Sequence, residues 1–148
     1  MLAEIEQMDE RQFLALTGVT KAAFMSLLPE FELSYQTAMQ ANYERNQAKR
    51  KRKPGAGQKG KLNSPAKKLF FLLRYFKSYP TFDELGREFG LDRSKACINL
   101  HNLAPILMQT LARLGVLPHH QLESLEMRTI QSLAQFGLLR YQNQLSSP

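Results

Sequence analysis

The stretch that decides the fold is TFDELGREFGLDRSKACINLHNL, residues 81–103. Its first helix has a full start signal, because Thr81 can cap the first backbone N–H groups and Glu84 can complete a capping box three residues later. Gly90 predicts the end of that helix, since a residue without a Cβ adopts the left-handed conformation at low cost. Asp92 is then a good N-cap for a second helix. The stretch therefore predicts a helix-turn-helix.

The predicted second helix has two different faces. At roughly 100° per residue, its apolar side chains gather in one arc: Ala96, Leu100, Leu103, Ala104 and Leu107. The opposite arc is short-armed and largely polar, with one charge: Ser94, Lys95, Ile98, Asn99, His101 and Asn102. Such a face suits a helix that enters a DNA groove and offers donors and acceptors to base edges. The alternative is an ordinary solvated face beside a helix corner.

The charges are strongly segregated along the chain. Residues 45–82 contain 12 Lys or Arg and no Asp or Glu, which leaves 8 basic and 13 acidic residues elsewhere, a net of −5. The overall charge of +7 therefore comes from one stretch. This segregation indicates a polyanionic partner, most often nucleic acid, on one side of the molecule.

A basic, Gly-rich linker occupies residues 49–64. It begins with five consecutive cations, for which we predict contacts with DNA phosphates: Lys49, Arg50, Lys51, Arg52 and Lys53. Like-charge repulsion, glycine entropy and the scarcity of apolar groups predict a flexible tether that buries nothing. The alternatives are a plain solvated linker or, in a eukaryotic cell, a nuclear targeting signal.

A helix is predicted to start directly after the linker, with Ser64 as N-cap and Pro65 at the first helical position. Its apolar face is formed by Leu69, Leu72, Leu73 and Phe76. Lys67, Arg74 and Lys77 cluster on the other side, where they could reach backbone phosphates. With the two helices of residues 81–103, this helix would form a three-helix unit whose third member reads DNA.

The remaining segments are also predicted to be helical. Residues 5–18 read as one short helix, and Thr20 caps a second helix that stays helical past Pro29. Pro105 is expected to end or kink the recognition helix, and a further helix follows it. A last amphipathic helix is predicted over residues 121–136, followed by an irregular tail.

The sequence as a whole predicts an all-α fold. Its parts are an N-terminal helical segment, the flexible basic linker, the helix-turn-helix domain, and a C-terminal helix with its tail: residues 1–48, 49–64, 65–117 and 118–148. No apolar run approaches the roughly 18 residues of a membrane span, and the acidic N-terminus is unlike a signal peptide. We therefore expect a cytoplasmic, nucleoid-associated protein without a membrane partner.

The residues that could perform chemistry have simpler explanations. Asp9, Asp83 and Asp92 all stand where helices start, so none is free for a two-metal nuclease site. His119 and His120 are adjacent, and no Cys or carboxylate lies at ligand spacing from them. We expect no metal, no cofactor and no catalytic residue, hence a protein that is not an enzyme.

The order of these elements resembles a known family. LTGVTKAAF, the basic linker and LNSPAKKLFFLLRYFKSYPTFDELGREFGLDRSKACINLHNLAPIL follow one another as in the N-terminal helix-turn-helix region of bacterial insertion-sequence transposases of the DDE class. The resemblance covers roughly residues 12–136, and its most specific part is LRYFKSYPTFDELGREFGLDRS, residues 73–94.

The resemblance implies a function and a set of contacts. In that family this region binds the terminal inverted repeats, and a separate RNase H-like domain carries three acidic residues that hold Mg²⁺. Recognition of the repeats would then fall to residues of the second helix: Arg93, Ser94, Lys95, Ile98, Asn99 and Asn102. Lys67, Arg74 and Lys77 would support them. The family would continue past residue 136 with a strand that leads to the catalytic domain, so we expect a transposase truncated or split before that domain.

Two further interpretations remain open. The first is a stand-alone helix-turn-helix regulator that binds an operator, and the second is a protein–protein adaptor with a solvated basic loop. The expected partners are double-stranded DNA and, for a split transposase, the catalytic polypeptide. A homodimer is also compatible with the sequence.

Overall fold

A computed structural model describes residues 2–46, 61–117 and 127–146. This part of the chain is helical and contains no strand, which agrees with the predicted all-α class. Its helices are α1 (Leu2–Gln7), α2 (Glu10–Thr17), α3 (Lys21–Arg45), α4 (Pro65–Ser78), α5 (Phe82–Phe89), α6 (Arg93–Arg113) and α7 (Met127–Ser146).

Helix α4 lies at the centre of the core. It packs against α2, α3, α6 and α7, and most of its side chains are buried. Phe71, Leu72 and Leu73 have no exposed surface. A fully buried side chain of this size contributes roughly 1.5–3 kcal/mol to folding. Because α4 is covered by helices from both ends of the chain, the N-terminal and C-terminal segments share one core with α5 and α6.

The helix starts follow local sequence signals, as predicted. In each case a short polar side chain accepts a hydrogen bond from the backbone N–H three residues later, and such a cap stabilises a helix by about 1 kcal/mol. The four predicted caps are confirmed: Thr20 (to Ala23, 3.1 Å), Ser64 (to Lys67, 3.2 Å), Thr81 (to Glu84, 3.1 Å) and Asp92 (to Lys95, 2.8 Å).

The prediction of one helix over residues 5–18 is wrong. The chain breaks between α1 and α2, and Asp9 caps the second of them by accepting a hydrogen bond from Gln12 N at 2.7 Å. Asp9 has an extended backbone, which an N-cap requires and a helix interior does not allow. The predicted end at Gly18 is confirmed, since this residue has φ 77°.

Both internal prolines lie within continuous helices. Pro29 is inside α3, as expected, whereas Pro105 was expected to end or kink α6 and does not end it. A proline inside a helix costs about 3 kcal/mol, mainly through a lost hydrogen bond and a clash. Leu103 and Ile106 are buried on either side of the exposed Pro105, so core packing along both halves of α6 outweighs that cost. The separate helix predicted after Pro105 is therefore the second half of α6.

The tail that was predicted to be irregular is helical as far as the structure describes it, to residue 146. Helix α7 continues to Ser146, and Leu138 and Tyr141 are buried in the core. The Tyr141 hydroxyl lies 2.7 Å from Ser26 Oγ, and Gln142 Oε1 accepts a hydrogen bond from Thr20 N at 2.7 Å. These contacts with α3 and its cap stabilise the helix beyond Leu139, where the sequence is mostly polar. The predicted start of this helix, residues 121–126, lies outside the described residues.

The linker is anchored at its C-terminal end. Leu62 is buried, and its carbonyl accepts a hydrogen bond from Lys68 Nζ at 2.7 Å. The expectation that residues 49–64 bury nothing is therefore wrong at Leu62, because the core leaves a place for its one leucine. The predicted phosphate contacts Lys49, Arg50, Lys51, Arg52 and Lys53 lie outside the described residues.

Candidate nucleic-acid interface

A three-residue turn joins α5 to α6. Gly90 has φ 70°, and the N–H groups of Gly90 and Leu91 both donate to the carbonyl of Gly86, the latter at 2.8 Å. The turn passes very close to α5, since a Cβ built on Gly86 would lie 2.4 Å from the Leu91 oxygen. Asp92 then caps α6. This close packing determines the direction in which α6 leaves α5.

The first half of α6 has the two faces that its sequence predicts. The apolar arc is buried: Ala96, Leu100, Leu103, Ala104 and Leu107. The predicted reading residues are exposed except for Asn99, which is half-buried. Ser94, Lys95, Ile98, Asn99 and Asn102 lie on the other side of the helix, and Arg93 is its first residue. We call this set the α6 outer face.

Two polar side chains of α6 lie within hydrogen-bonding distance of backbone carbonyls four residues earlier in the helix. Asn99 Nδ2 donates to the Lys95 carbonyl at 2.8 Å, and His101 Nδ1 lies 2.8 Å from the Cys97 carbonyl. The Asn99 amide still has a second N–H and a carbonyl oxygen with which to meet a partner. Its reach from the helix is shorter than that of a fully extended side chain.

An aromatic cluster supports the corner between α4 and α5. Tyr79 ends α4 in the left-handed conformation, with φ 49°. The ring of Tyr75 stacks on Phe82 with centroids 6.0 Å apart and lies 5.0 Å from the ring of Tyr79. Burial, together with a hydrogen bond to Tyr79, raises the pKa of the Tyr75 hydroxyl well above its usual value. Phe82 in turn lies 6.3 Å from the ring of His101, so the cluster extends to α6.

The three predicted supporting cations of α4 have different surroundings. Arg74 makes two hydrogen bonds to Glu88, at 3.1 and 2.8 Å, and its side chain is only 16% exposed. It therefore joins α4 to α5. Lys77 is exposed, and its stem lies over the end of α2, 3.2 Å from a Cβ built on Gly18. Lys67 is half-buried.

Lys61 is a cation that sequence reasoning did not single out. Its Cδ atom lies 4.0 Å from a Cβ built on Gly90, so its exposed side chain lies at the turn before α6. The buried Leu62 keeps it there. The signal in the sequence was this one leucine between the basic linker and the Ser64 cap. Lys61 adds a positive charge close to the start of the α6 outer face.

Helix α5 carries the opposite charge in its first turn. Asp83 and Glu84 are exposed there, whereas Arg87 lies in its last turn. Carboxylates repel a phosphate backbone, and cations attract it. The last turn of α5 also contains Glu88, which pairs with Arg74. At the start of α6, Lys61, Arg93 and Lys95 outnumber the carboxylate of Asp92. A polyanion would therefore approach the start of α6 more favourably than the start of α5.

The described residues contain no group of three His, Cys, Asp or Glu side chains that could hold a metal ion. Asp9 and Asp92 are N-caps, and Asp83 lies in the first turn of α5, as predicted. His119 and His120 lie outside the described residues.

An open cleft of about 630 Å³ between the end of α3 and α6 is lined by Thr37, Ala38, Ala41, Glu44, Arg45 and Gln109. Its lining residues include no His, Cys or Asp.

Comparisons with protein-family models, with curated proteins and with solved structures gave no match. The resemblance to transposase helix-turn-helix regions therefore stays a prediction from sequence. No helix within the described ranges is long and apolar enough to cross a membrane.

Proposed function

We propose that this chain binds double-stranded DNA sequence-specifically, with α6 in the major groove and α5 and α6 acting as a helix-turn-helix. We further propose that it is the end-recognition module of an insertion-sequence transposase. The observation that carries DNA binding is the α6 outer face, a solvent-exposed and largely polar surface opposite the buried side of a helix that starts at a tight, capped turn. The transposase assignment rests on the resemblance of residues 73–94.

The α6 outer face has the chemistry that base reading requires. The major groove of B-DNA, about 12 Å wide, admits an α-helix, and each base pair presents a distinct pattern of donors and acceptors there. Asn99 and Asn102 are amides, which can pair with the N6 and N7 atoms of adenine. Lys95 and Arg93 can donate to guanine O6 and N7 or to a phosphate.

Affinity and sequence choice would come from different residues. The cations around the start of α6, Lys61 and Arg93 among them, would attract the DNA backbone, as would the five cations of residues 49–53. Each phosphate contact adds roughly −0.9 to the slope of log K against log salt concentration. The exposed carboxylates Asp83 and Glu84 would keep the first turn of α5 away from the backbone. Binding should therefore be strongly salt-dependent and oriented by α6.

Selection of binding sites from random duplexes, followed by gel shifts with the chain at several salt concentrations, tests the proposal. Recovery of the inverted repeats that flank a nearby element supports the transposase module. A palindrome at an unrelated promoter instead indicates an operator-binding regulator. If no duplex is retarded even at low salt, DNA binding is refuted and the protein–protein adaptor is favoured.

Substitutions on two surfaces separate affinity from specificity. Lys95→Ala and Asn99→Ala should each relax the preference for the selected site, because a good base contact discriminates by about 1–3 kcal/mol. Replacing all five cations of residues 49–53 by glutamine should weaken binding to every duplex about equally and reduce the salt slope. Arg11→Ala, on the exposed surface of α2, is the control for loss of one charge away from α6. If Asn99→Ala keeps full selectivity, the α6 outer face is wrongly assigned.

A further inference from the structure

Ile98 is the most exposed of the large apolar side chains in the described residues, at 58%. On a helix that turns roughly 100° per residue, it points almost directly away from the middle of the buried arc of α6. The residues around it on the α6 outer face are polar or charged, namely Ser94, Lys95 and Asn102. Ile98 therefore lies at the outermost point of this face.

A single exposed hydrophobic residue is common on protein surfaces and needs no explanation by itself. Ile98 differs from an ordinary exposed hydrophobic residue because the side chains around it are polar or positively charged, which favours contact with DNA. Lys95 lies on the same face, and Arg93 and Lys61 lie at the start of α6, where they would hold the phosphate backbone. A helix seated in the groove by these cations would bring its outermost side chain closest to the base edges.

We infer that Ile98 contacts the 5-methyl group of a thymine in the major groove, an inference that rests on the proposed DNA binding. The thymine methyl is the one apolar group that base pairs present in that groove, and apolar side chains recognise it by direct contact. Isoleucine is branched at Cβ and has one strongly preferred χ1 rotamer in a helix. Its side chain therefore already has one preferred conformation before DNA binds. Ile98 would specify thymine over cytosine at one position of the site.

The test replaces thymines of the selected site by deoxyuridine, one position at a time. This change removes only the methyl group and keeps base pairing and every hydrogen-bonding group. Wild-type protein should lose affinity roughly four-fold at one or two positions, the effect of one buried methyl group. Ile98→Ala should bind the unmodified site more weakly and should no longer distinguish thymine from deoxyuridine at those positions. Ile98→Val should give an intermediate response.

The matched control is Leu139→Ala, since Leu139 is 57% exposed but lies on α7. It should leave the deoxyuridine profile unchanged. Because Ile98 is exposed, its variants should retain the far-ultraviolet circular dichroism of the wild type. The inference is overturned if wild type loses affinity at no deoxyuridine position, or if Ile98→Ala keeps the same losses, while DNA binding itself stands. If wild type retards no duplex, the proposed function fails first.

Discussion

Replacing Gly86 by alanine should destabilise the turn between α5 and α6. Gly86 lies inside α5, where alanine would ordinarily be the better residue by about 1 kcal/mol. The added Cβ, however, would lie 2.4 Å from the oxygen of Leu91, 3.2 Å from the carbonyl carbon of Leu91 and 3.3 Å from the oxygen of Asp92. These are backbone atoms, which cannot rotate away as a side chain can.

The magnitude follows from the displacement required. An ordinary contact begins near 3.4 Å, so the Leu91 carbonyl would have to move by about 1 Å. Overpacking of this kind costs about 1–3 kcal/mol. The movement also strains the 2.8 Å hydrogen bond from Leu91 N to Gly86 O, worth about 0.5–1.5 kcal/mol. After subtraction of the helix propensity gained, we expect a loss of about 2 kcal/mol.

Urea unfolding followed by circular dichroism measures this effect. For a chain of this size, a slope of about 2 kcal/mol per molar urea would convert the loss into a midpoint lowered by about 1 M. Gly137→Ala is the matched control, because Gly137 is also inside a helix but its Cβ would meet a side-chain methyl of Leu117 at 2.7 Å. The end of a side chain can shift more readily than a backbone carbonyl, so this variant should lose less stability than Gly86→Ala. An unchanged or higher midpoint for Gly86→Ala would refute the close approach of the turn.

Three further outcomes are expected. Arg74→Ala should lower the free energy of unfolding by about 1 kcal/mol in thermal or urea unfolding, because it removes the two hydrogen bonds to Glu88. It should leave the salt slope of DNA binding unchanged, and a smaller slope would show that Arg74 contacts a phosphate. Asp92→Ala should lower the free energy of unfolding by about 1 kcal/mol in the same assay, because it removes the cap of α6. Asp92→Asn should keep most of this stability, since asparagine can also cap a helix. An equal loss in both variants would show that the charge of Asp92 matters instead. Because burial raises the pKa of Tyr75 above the unfolded value of about 10, its contribution to stability is complete below about pH 10 and is lost as the pH rises further. Alkaline titration of phenolate absorbance should show a late component that Tyr75→Phe removes, and its persistence would contradict the assignment.

The helix starts could be predicted because their causes are local. Ser64 and the N–H that it caps are three residues apart, as are Thr81 and its partner, so the signal is visible in a short window. The ends at Gly18 and Gly90 were predictable for a similar reason, since left-handed backbone selects glycine. Tyr79, also left-handed, ends α4 just before Pro80.

The sequence predictions were wrong where contacts between residues far apart in the chain determine how long a helix is. Propensity alone does not predict that α6 passes Pro105, because the compensating burial is supplied by other helices packed on either side of it. The C-terminal helix was predicted to end too early, since the polar residues after Leu139 hide the helical spacing of Leu138 and Tyr141.

The candidate site divides in the same way. The outward direction of Lys95, Ile98 and Asn102 follows from helical periodicity alone. Periodicity grouped Arg74 with the cations Lys67 and Lys77 but did not reveal its pairing with Glu88, which is 14 residues away on another helix. Lys61 gained importance only when the burial of Leu62 placed it beside Gly90.

By itself, the sequence of this protein determined an all-helical class, most of the helix starts and the two faces of α6. These features depend on periodicity and on hydrogen bonds within a few residues, which any short window contains. Only the tertiary structure decided that Arg74 joins two helices, that α6 continues through Pro105 and that the C-terminal segment belongs to the core. Those outcomes depend on burial and pairing between residues far apart in the chain, whose free energies no local window includes.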